Sequence, residues 1–207
     1  MSQLMHDAWV YLFEGFSGLG SDFISGSISA LPLFRQEKCA RYRHDSDKRA
    51  CIISYQLLVK GLREQFGLAT GGEFVYNKHG KPYLKDYPHI FFNLSHCKSG
   101  VVCALADVEV GIDIQDIRPF DIDLARRVCS ENELRELSKS DEPAKQFCKI
   151  WTYKESYAKA EGISVFAVLR QDLPSGRAAY QETGEYCMTL CGKGALEEIM
   201  CQIIQSH

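Results

Sequence analysis

The chain has 207 residues, 45% of them hydrophobic and 25% charged, with a net charge of −3. That is the composition of a globular protein with a sizeable core, and its slight acidity argues against a nucleic acid or a membrane surface as partner. Nine cysteines, mostly set among apolar residues and without a CxxC pair, fit reduced, buried thiols in a cytoplasmic protein better than disulfides or a zinc site.

The opening MSQLMHDAWVYLFEGF has no positive region before its apolar run, so no signal peptide is expected. No apolar run nears the ~18 residues of a membrane-spanning helix. Residues 8–16 read as a strand and residues 21–42 as helical. A longer helix follows in SDKRACIISYQLLVKGLREQFG, capped by Asp45 or Ser46 and closed by glycines; Ala50, Ile53, Leu57, Leu58 and Leu62 recur at helical spacing. FVYN predicts a strand, HGKPYLKDYP a turn-rich loop, and IFFNLS and VVCALA two strands joined by the turn HCKSG. A turn at 107–109 leads into VGIDI, another strand.

Beyond it, DIDLARRVCSENELRELSK predicts one helix or a broken pair. DEPAKQFCKIWTYKESYAKAEG predicts a helix capped by Asp141, with Pro143 in its first turn. AAYQET and EYCMTLCG predict a closing hairpin, and the last dozen residues are ambiguous. The order strand, helix, helix occurs twice. The expected fold class is therefore α+β, two similar halves packed together, 1–108 and 109–207.

The strand VGIDIQD carries the first chemical puzzle. Val110, Ile112 and Ile114 share one face, which puts Gly111, Asp113 and Gln115 on the other. A carboxylate on a core strand is costly unless a cation or hydrogen bonds compensate it. On the helix after Pro143, Phe147, Ile150, Trp151 and Ala158 form an apolar stripe with Lys154 inside it and Glu155 and Lys159 along its flank. The bland expectation is a Glu155–Lys159 pair one turn apart, with Lys154 reaching out to water. The sharper one is a Mg²⁺–phosphate site, which needs one or two carboxylates and nearby lysines.

Three further stretches bear on this choice. RQEKCARYRHDSDKR holds six Lys/Arg against three acids, and Arg49 lies near the start of the long helix, where backbone amides favour anions. HGKP is a turn in which Gly80 permits close backbone approach and Lys81 adds charge. NLSH ends a strand, with Ser95 and His96 at the mouth of a hairpin; the blander alternative is that Asn93 and Ser95 only cap the following turn.

Taken in order, the Gly-Lys-Pro turn, FNLSH, GIDI and WTYKESYAKAEG resemble the 4′-phosphopantetheinyl transferases of the larger, Sfp-type class. That family's pattern is Gly-Lys-Pro, Asn-x-Ser-His, Gly-Ile-Asp-x-Glu, then Trp-x-x-Lys-Glu-[Ser/Ala]-x-x-Lys. The resemblance implies a pseudo-dimer of two α/β halves with coenzyme A between them. It implies transfer of the 4′-phosphopantetheine arm to a serine of an apo acyl, peptidyl or polyketide carrier protein, with release of adenosine 3′,5′-bisphosphate. It makes Asp113 and Glu155 ligands of Mg²⁺, with Glu155 also the base, directly or through a water. Lys159 would stabilise the pyrophosphate. Gly80, Lys81, Pro82, Ser95 and His96 would line the coenzyme A site, Arg35, Lys38 and Arg49 would hold the 3′-phosphate, and Lys154 would pair with a carboxylate.

Gln115 departs from the pattern, since relatives often have Glu there as a third metal ligand. A glutamine carbonyl, or a water in its place, is expected instead. The segment after Lys159, EGISVF, also departs. Carrier recognition is expected between Pro119 and Leu137, with Arg126 and Arg127 as candidates, and an internal cleft suits a monomer. Two other readings compete: a coenzyme A-binding homologue that no longer transfers, and a Mg²⁺-dependent phosphoanhydride hydrolase.

Overall fold

The computed structural model describes residues 7–175, 177–193 and 198–203. Strand β1 (Asp7–Glu14) lies between β5 (Gly100–Ala106), antiparallel to it, and β9 (Glu198–Ile203), parallel to it. Strand β4 (Phe91–His96) completes this four-stranded sheet beyond β5. Residues alternate sides along β1, and both sides are apolar, as a central strand requires. Tyr11 packs toward the helices, whereas Ala8, Val10 and Leu12 face the second sheet.

The helical stretch expected over 21–42 is two helices, α1 (Ser21–Ile28) and α2 (Leu33–Ala40). Pro32, extended at φ −64° and ψ 152°, stands between them. A proline disfavours helix in the residue before it. Helix α3 (Asp45–Phe66) then lies on the sheet with Ala50, Ile53, Leu57, Leu58 and Leu62 buried. Its N-cap is His44, without a side-chain capping bond, so neither Asp45 nor Ser46 caps it; Gly67 ends it at φ 68°. Strands β2 (Phe74–Tyr76) and β3 (Pro82–Leu84) form a small hairpin where part of a loop was expected.

The second sheet has the order β6 (Val110–Asp116), β8 (Tyr186–Gly192), β7 (Ala178–Glu182), all antiparallel. The predicted broken pair is α4 (Ile122–Val128) and α5 (Glu131–Leu137), each with its own cap: Asp121 for α4, and a Ser130–Glu133 capping box for α5. Helix α6 (Pro143–Glu161) begins at Pro143 with Glu142, not Asp141, at the cap, and ends on Gly162 at φ 65°.

Both faces of each sheet are covered. Helix α3 covers one face of the first sheet, α6 covers one face of the second, and the two sheets pack on each other through Val10, Leu12, Val102, Ala104, Ile112, Ile114, Met188 and Leu190. Residues 107–109 join the two sheets, leading from β5 into β6. Strand β9 then returns from the far end of the chain to the first sheet, which residues 1–108 do not complete alone.

Candidate active site

The sheets meet at a seam between β4 and β6. The N–H groups on this edge of β6 bond side chains in place of a neighbouring strand: Ile112 N–H donates to Asn93 Oδ1 at 2.9 Å and Ile114 N–H to Ser95 Oγ at 3.5 Å. Asn93 and Ser95 thus join the sheets and do not cap the following turn. That turn is held instead by Asp116, whose carboxylate accepts from Lys98 N–H and Ser99 N–H, both at 3.0 Å. Burial pushes the Asp116 carboxyl up, but hydrogen bonds from the Ser99 and Cys97 side chains and from these two backbone groups together hold it below the usual range. Asp116 stays in regular register with Tyr186.

Asp113, 6% exposed, is compensated at this seam. Its Oδ1 accepts from Lys159 Nζ at 2.6 Å and from Ser95 Oγ at 2.7 Å. Lys159 also donates to Ile112 O at 3.2 Å and to Ser95 Oγ at 3.3 Å. Lys159 therefore crosses to the strand, and the expected pairing with Glu155 one turn away gives way to Asp113. Burial pushes the Glu155 carboxyl up, Lys159 pulls it down, and Asp113 pushes it up again. Asp113 thus bears electrostatically on Glu155, and two carboxylates are within the one or two that Mg²⁺ takes from a protein. Among the described residues no group of three or more His, Cys, Asp or Glu is gathered as a ligand cluster.

Close approach of α6 to β6 makes this arrangement possible. The row facing the sheet is Cys148, Thr152, Ser156 and Ala160, all small and all buried. Thr152 Oγ1 and Thr189 Oγ1 share a hydrogen bond of 2.7 Å. A Cβ on Gly111 would fall 2.0 Å from Ser156 O and 2.4 Å from Ala160 N, so only glycine fits. The predicted stripe of Phe147, Ile150 and Trp151 instead meets Ala125, Val128 and Leu137 from α4 and α5. Lys154 does not reach water: it is fully buried, donating to Gln171 O at 2.6 Å and paired with Glu133 at 3.0 Å.

Gln115 is half-buried, and its backbone oxygen accepts from Cys148 Sγ at 3.3 Å. It lines a cleft of about 530 Å³ together with Ser46, Asp47, His96, Lys98 and Arg118, drawn from both halves. Partial desolvation holds the His96 imidazole below the ordinary histidine range; Asp47 opposes this and Lys159 adds to it.

The basic segment divides. Arg35 turns inward, 3% exposed, donating to Cys51 O at 2.7 Å and lying 5.5 Å over the Tyr55 ring. Lys38 lines a groove of about 1430 Å³ with Tyr42, Tyr55 and Phe74. Desolvation, then the Arg35 charge, lowers its pKa. The Nε atoms of Arg35 and Arg49 are buried and lack a partner among the described residues. Gly80 takes φ 83° in the HGKP turn, and Pro82 opens β3. The Lys81 ammonium lies at the junction of β3, β6 and the end of α6, paired with Glu109, a residue the sequence reading passed over.

Comparison with known proteins places the chain in a family. A model of the 4′-phosphopantetheinyl transferase superfamily matches residues 109–199, which include β6 and α6. A 4′-phosphopantetheinyl transferase of Bacillus subtilis is 30% identical over 203 residues, covering 88% of this chain and 89% of its own. The transferase Sfp of Bacillus subtilis strain 168 is 32% identical over 131 residues, 62% of this chain and 58% of its own. The transferase AcpT of Salmonella typhi is 38% identical over 117 residues, 53% and 60% of the two chains. An identity sustained along nearly the whole of two chains, together with the family model matched over 109–199, identifies this protein as a member of the 4′-phosphopantetheinyl transferase superfamily.

Proposed function

We propose that this transferase moves the 4′-phosphopantetheine arm of coenzyme A onto a serine of an apo acyl, peptidyl or polyketide carrier protein. The observation that carries the reading is the seam itself, where Asp113, Lys159 and Ser95 bond one another beside Glu155. Asp113 and Glu155 would hold Mg²⁺, with Gln115 reaching it directly or through a water. The ion supplies charge neutralisation on pyrophosphate oxygens.

The protein's own groups do the rest. Glu155 takes the proton of the incoming serine hydroxyl, directly or through a water. The serine oxygen bonds to the phosphorus bearing the pantetheine arm, and the bond from that phosphorus to the bridging oxygen breaks. Adenosine 3′,5′-bisphosphate leaves with the electron pair. Lys159 balances charge on the phosphates, His96 lines the cleft around them, and Ser95 orients Asp113 and Lys159. Lys38, lining the groove beside Tyr42 and Tyr55, would meet the 3′-phosphate, while Arg35, turned inward onto Cys51 O, and Arg49 would add positive charge at longer range. The resemblance would set Gly80, Lys81 and Pro82 along the coenzyme A site, but the Lys81 ammonium turns inward to Glu109, Val110 O and Ala160 O.

The carrier would dock beside the cleft. A groove of about 540 Å³ shares Gln115, Asp116 and Arg118 with it and adds Leu124, Phe147 and Trp151. Arg126 and Arg127 follow on α4, suited to an acidic helix. No described helix is long and apolar enough to cross a membrane, and a cytoplasmic monomer suits these substrates.

Intact-mass analysis of an apo carrier incubated with the protein, coenzyme A and Mg²⁺ tests this reading. A gain of about 340 Da with the wild type and none with Glu155→Ala is expected. Release of adenosine bisphosphate without any carrier would indicate a hydrolase. Binding of coenzyme A with no gain on several carriers would indicate an inactive homologue.

A further inference from the structure

We infer that Lys81 and Glu109 are positioning residues: their ion pair pins the end of α6 to the start of β6 and thereby sets how Glu155 and Lys159 meet Asp113. The inference rests on the proposed role of those three residues in transfer.

Lys81 is 7% exposed, and its three ammonium protons have three acceptors. These are Glu109 Oε2, Val110 O at 3.2 Å and Ala160 O at 3.3 Å. With every donor engaged inside the protein, none is left over for a phosphate. Ala160 O belongs to the last turn of α6, where carbonyls lack helical partners and a cation is favoured. Glu109 is held in turn, because its Oε1 accepts from Tyr83 O–H at 3.1 Å.

The turn presenting Lys81 is itself rigid. Asn77 Oδ1 accepts from His79 N–H and Lys81 N–H, both at 2.9 Å, and its Nδ2 donates to Gly162 O at 3.1 Å. The β2–β3 hairpin is thus strapped to the C-terminal end of α6 by two side chains.

The location makes the strap matter for chemistry. Val110 lies on the strand carrying Asp113, and Ala160 directly follows Lys159. Between these anchor points, Gly111 puts β6 and α6 in direct backbone contact. Loosening the strap frees both ends of that contact, and the Lys159–Asp113 bond of 2.6 Å tolerates little displacement.

The test compares Lys81→Met, Glu109→Gln and the double variant. Each single change is expected to lower kcat by about tenfold or more, with KM for coenzyme A within about twofold, because a small misplacement costs rate before binding. The double variant should be no slower than the slower single one. Glu109→Asp should recover part of the loss. A tenfold rise in KM for coenzyme A with Lys81→Met alone would make Lys81 a substrate ligand and overturn the inference. So would unchanged kcat in both folded variants. Should Lys81→Met fail to fold, Glu109→Gln and Tyr83→Phe carry the same comparison. Hydrogen exchange across residues 155–162 separates the strap from the transferase reading. If the wild type loads no carrier, faster exchange in Glu109→Gln still supports the strap, and unchanged exchange overturns it.

Discussion

Two long helices lie on two sheets in this protein, and they do so differently. Helix α3 meets its sheet through Ile53, Leu57, Leu58 and Leu62, long side chains that fill space. Helix α6 meets its sheet through Cys148, Thr152, Ser156 and Ala160, which fill little and let the backbones touch. The first contact follows the usual route to stability, burial of apolar area. The second gives up some of that burial, and in return Lys159 stands close enough to β6 to bond Asp113. One half is built to be stable and the other to be accurate.

Gly111→Ala should have the largest effect, since the new methyl meets the backbone of α6, which has nowhere to go. We expect a loss of about 3 kcal/mol in denaturant unfolding and, in the folded fraction, transfer slower by about a hundredfold. Normal activity in this variant would break the comparison. Leu58→Ala, in the other half, should cost about 3 kcal/mol as well, yet leave the specific activity of folded protein unchanged. Thr152→Val should cost about 1.5 kcal/mol, because Thr189 is left buried without its partner, whereas the Thr152→Val/Thr189→Val pair should recover most of it. Gly61→Ala should be the mildest, about 1 kcal/mol by thermal melting. Its Cβ would first meet side-chain atoms and not backbone: Leu105 Cδ1 at 2.5 Å, the flexible end of its side chain, and Tyr11 Cε2 at 2.8 Å.

Gln115 sharpens the comparison at the site itself. Gln115→Glu should keep activity and lower the Mg²⁺ concentration needed for half-maximal transfer, because a charged ligand replaces a neutral one. An unchanged Mg²⁺ titration would count against a direct ligand role for residue 115.

The contrast also explains what the sequence revealed. Alternation marked β6 and the face carrying Asp113, and the periodic leucines marked α3, because both features come from burial of large apolar groups. The stripe on α6 was equally legible, but it faces α4 and α5. The row that matters for the site is small and partly polar, so a search for hydrophobic residues passes over it; small residues recurring every fourth position were the available signal. Lys154 sat correctly inside the stripe, and its partner Glu133 was hidden because it lies on another helix. Glu109 was read as part of a turn, since nothing local tells that Lys81, distant in sequence, reaches it. The blander alternative for Asn93 and Ser95, a local cap, fails for the same reason: their partners lie on β6.

Strand β1 has a consequence for how the protein is made. Its parallel neighbour β9 comes from residues 198–203, so the first sheet mixes strands from opposite ends of the described chain. During synthesis β1 emerges early and β9 late. Until then one side of β1 is an open edge, able to pair with the wrong strand. The two halves therefore cannot mature one after the other. The sheet whose first strand is made earliest is finished last, and the β1 edge stays open until β9 has been made.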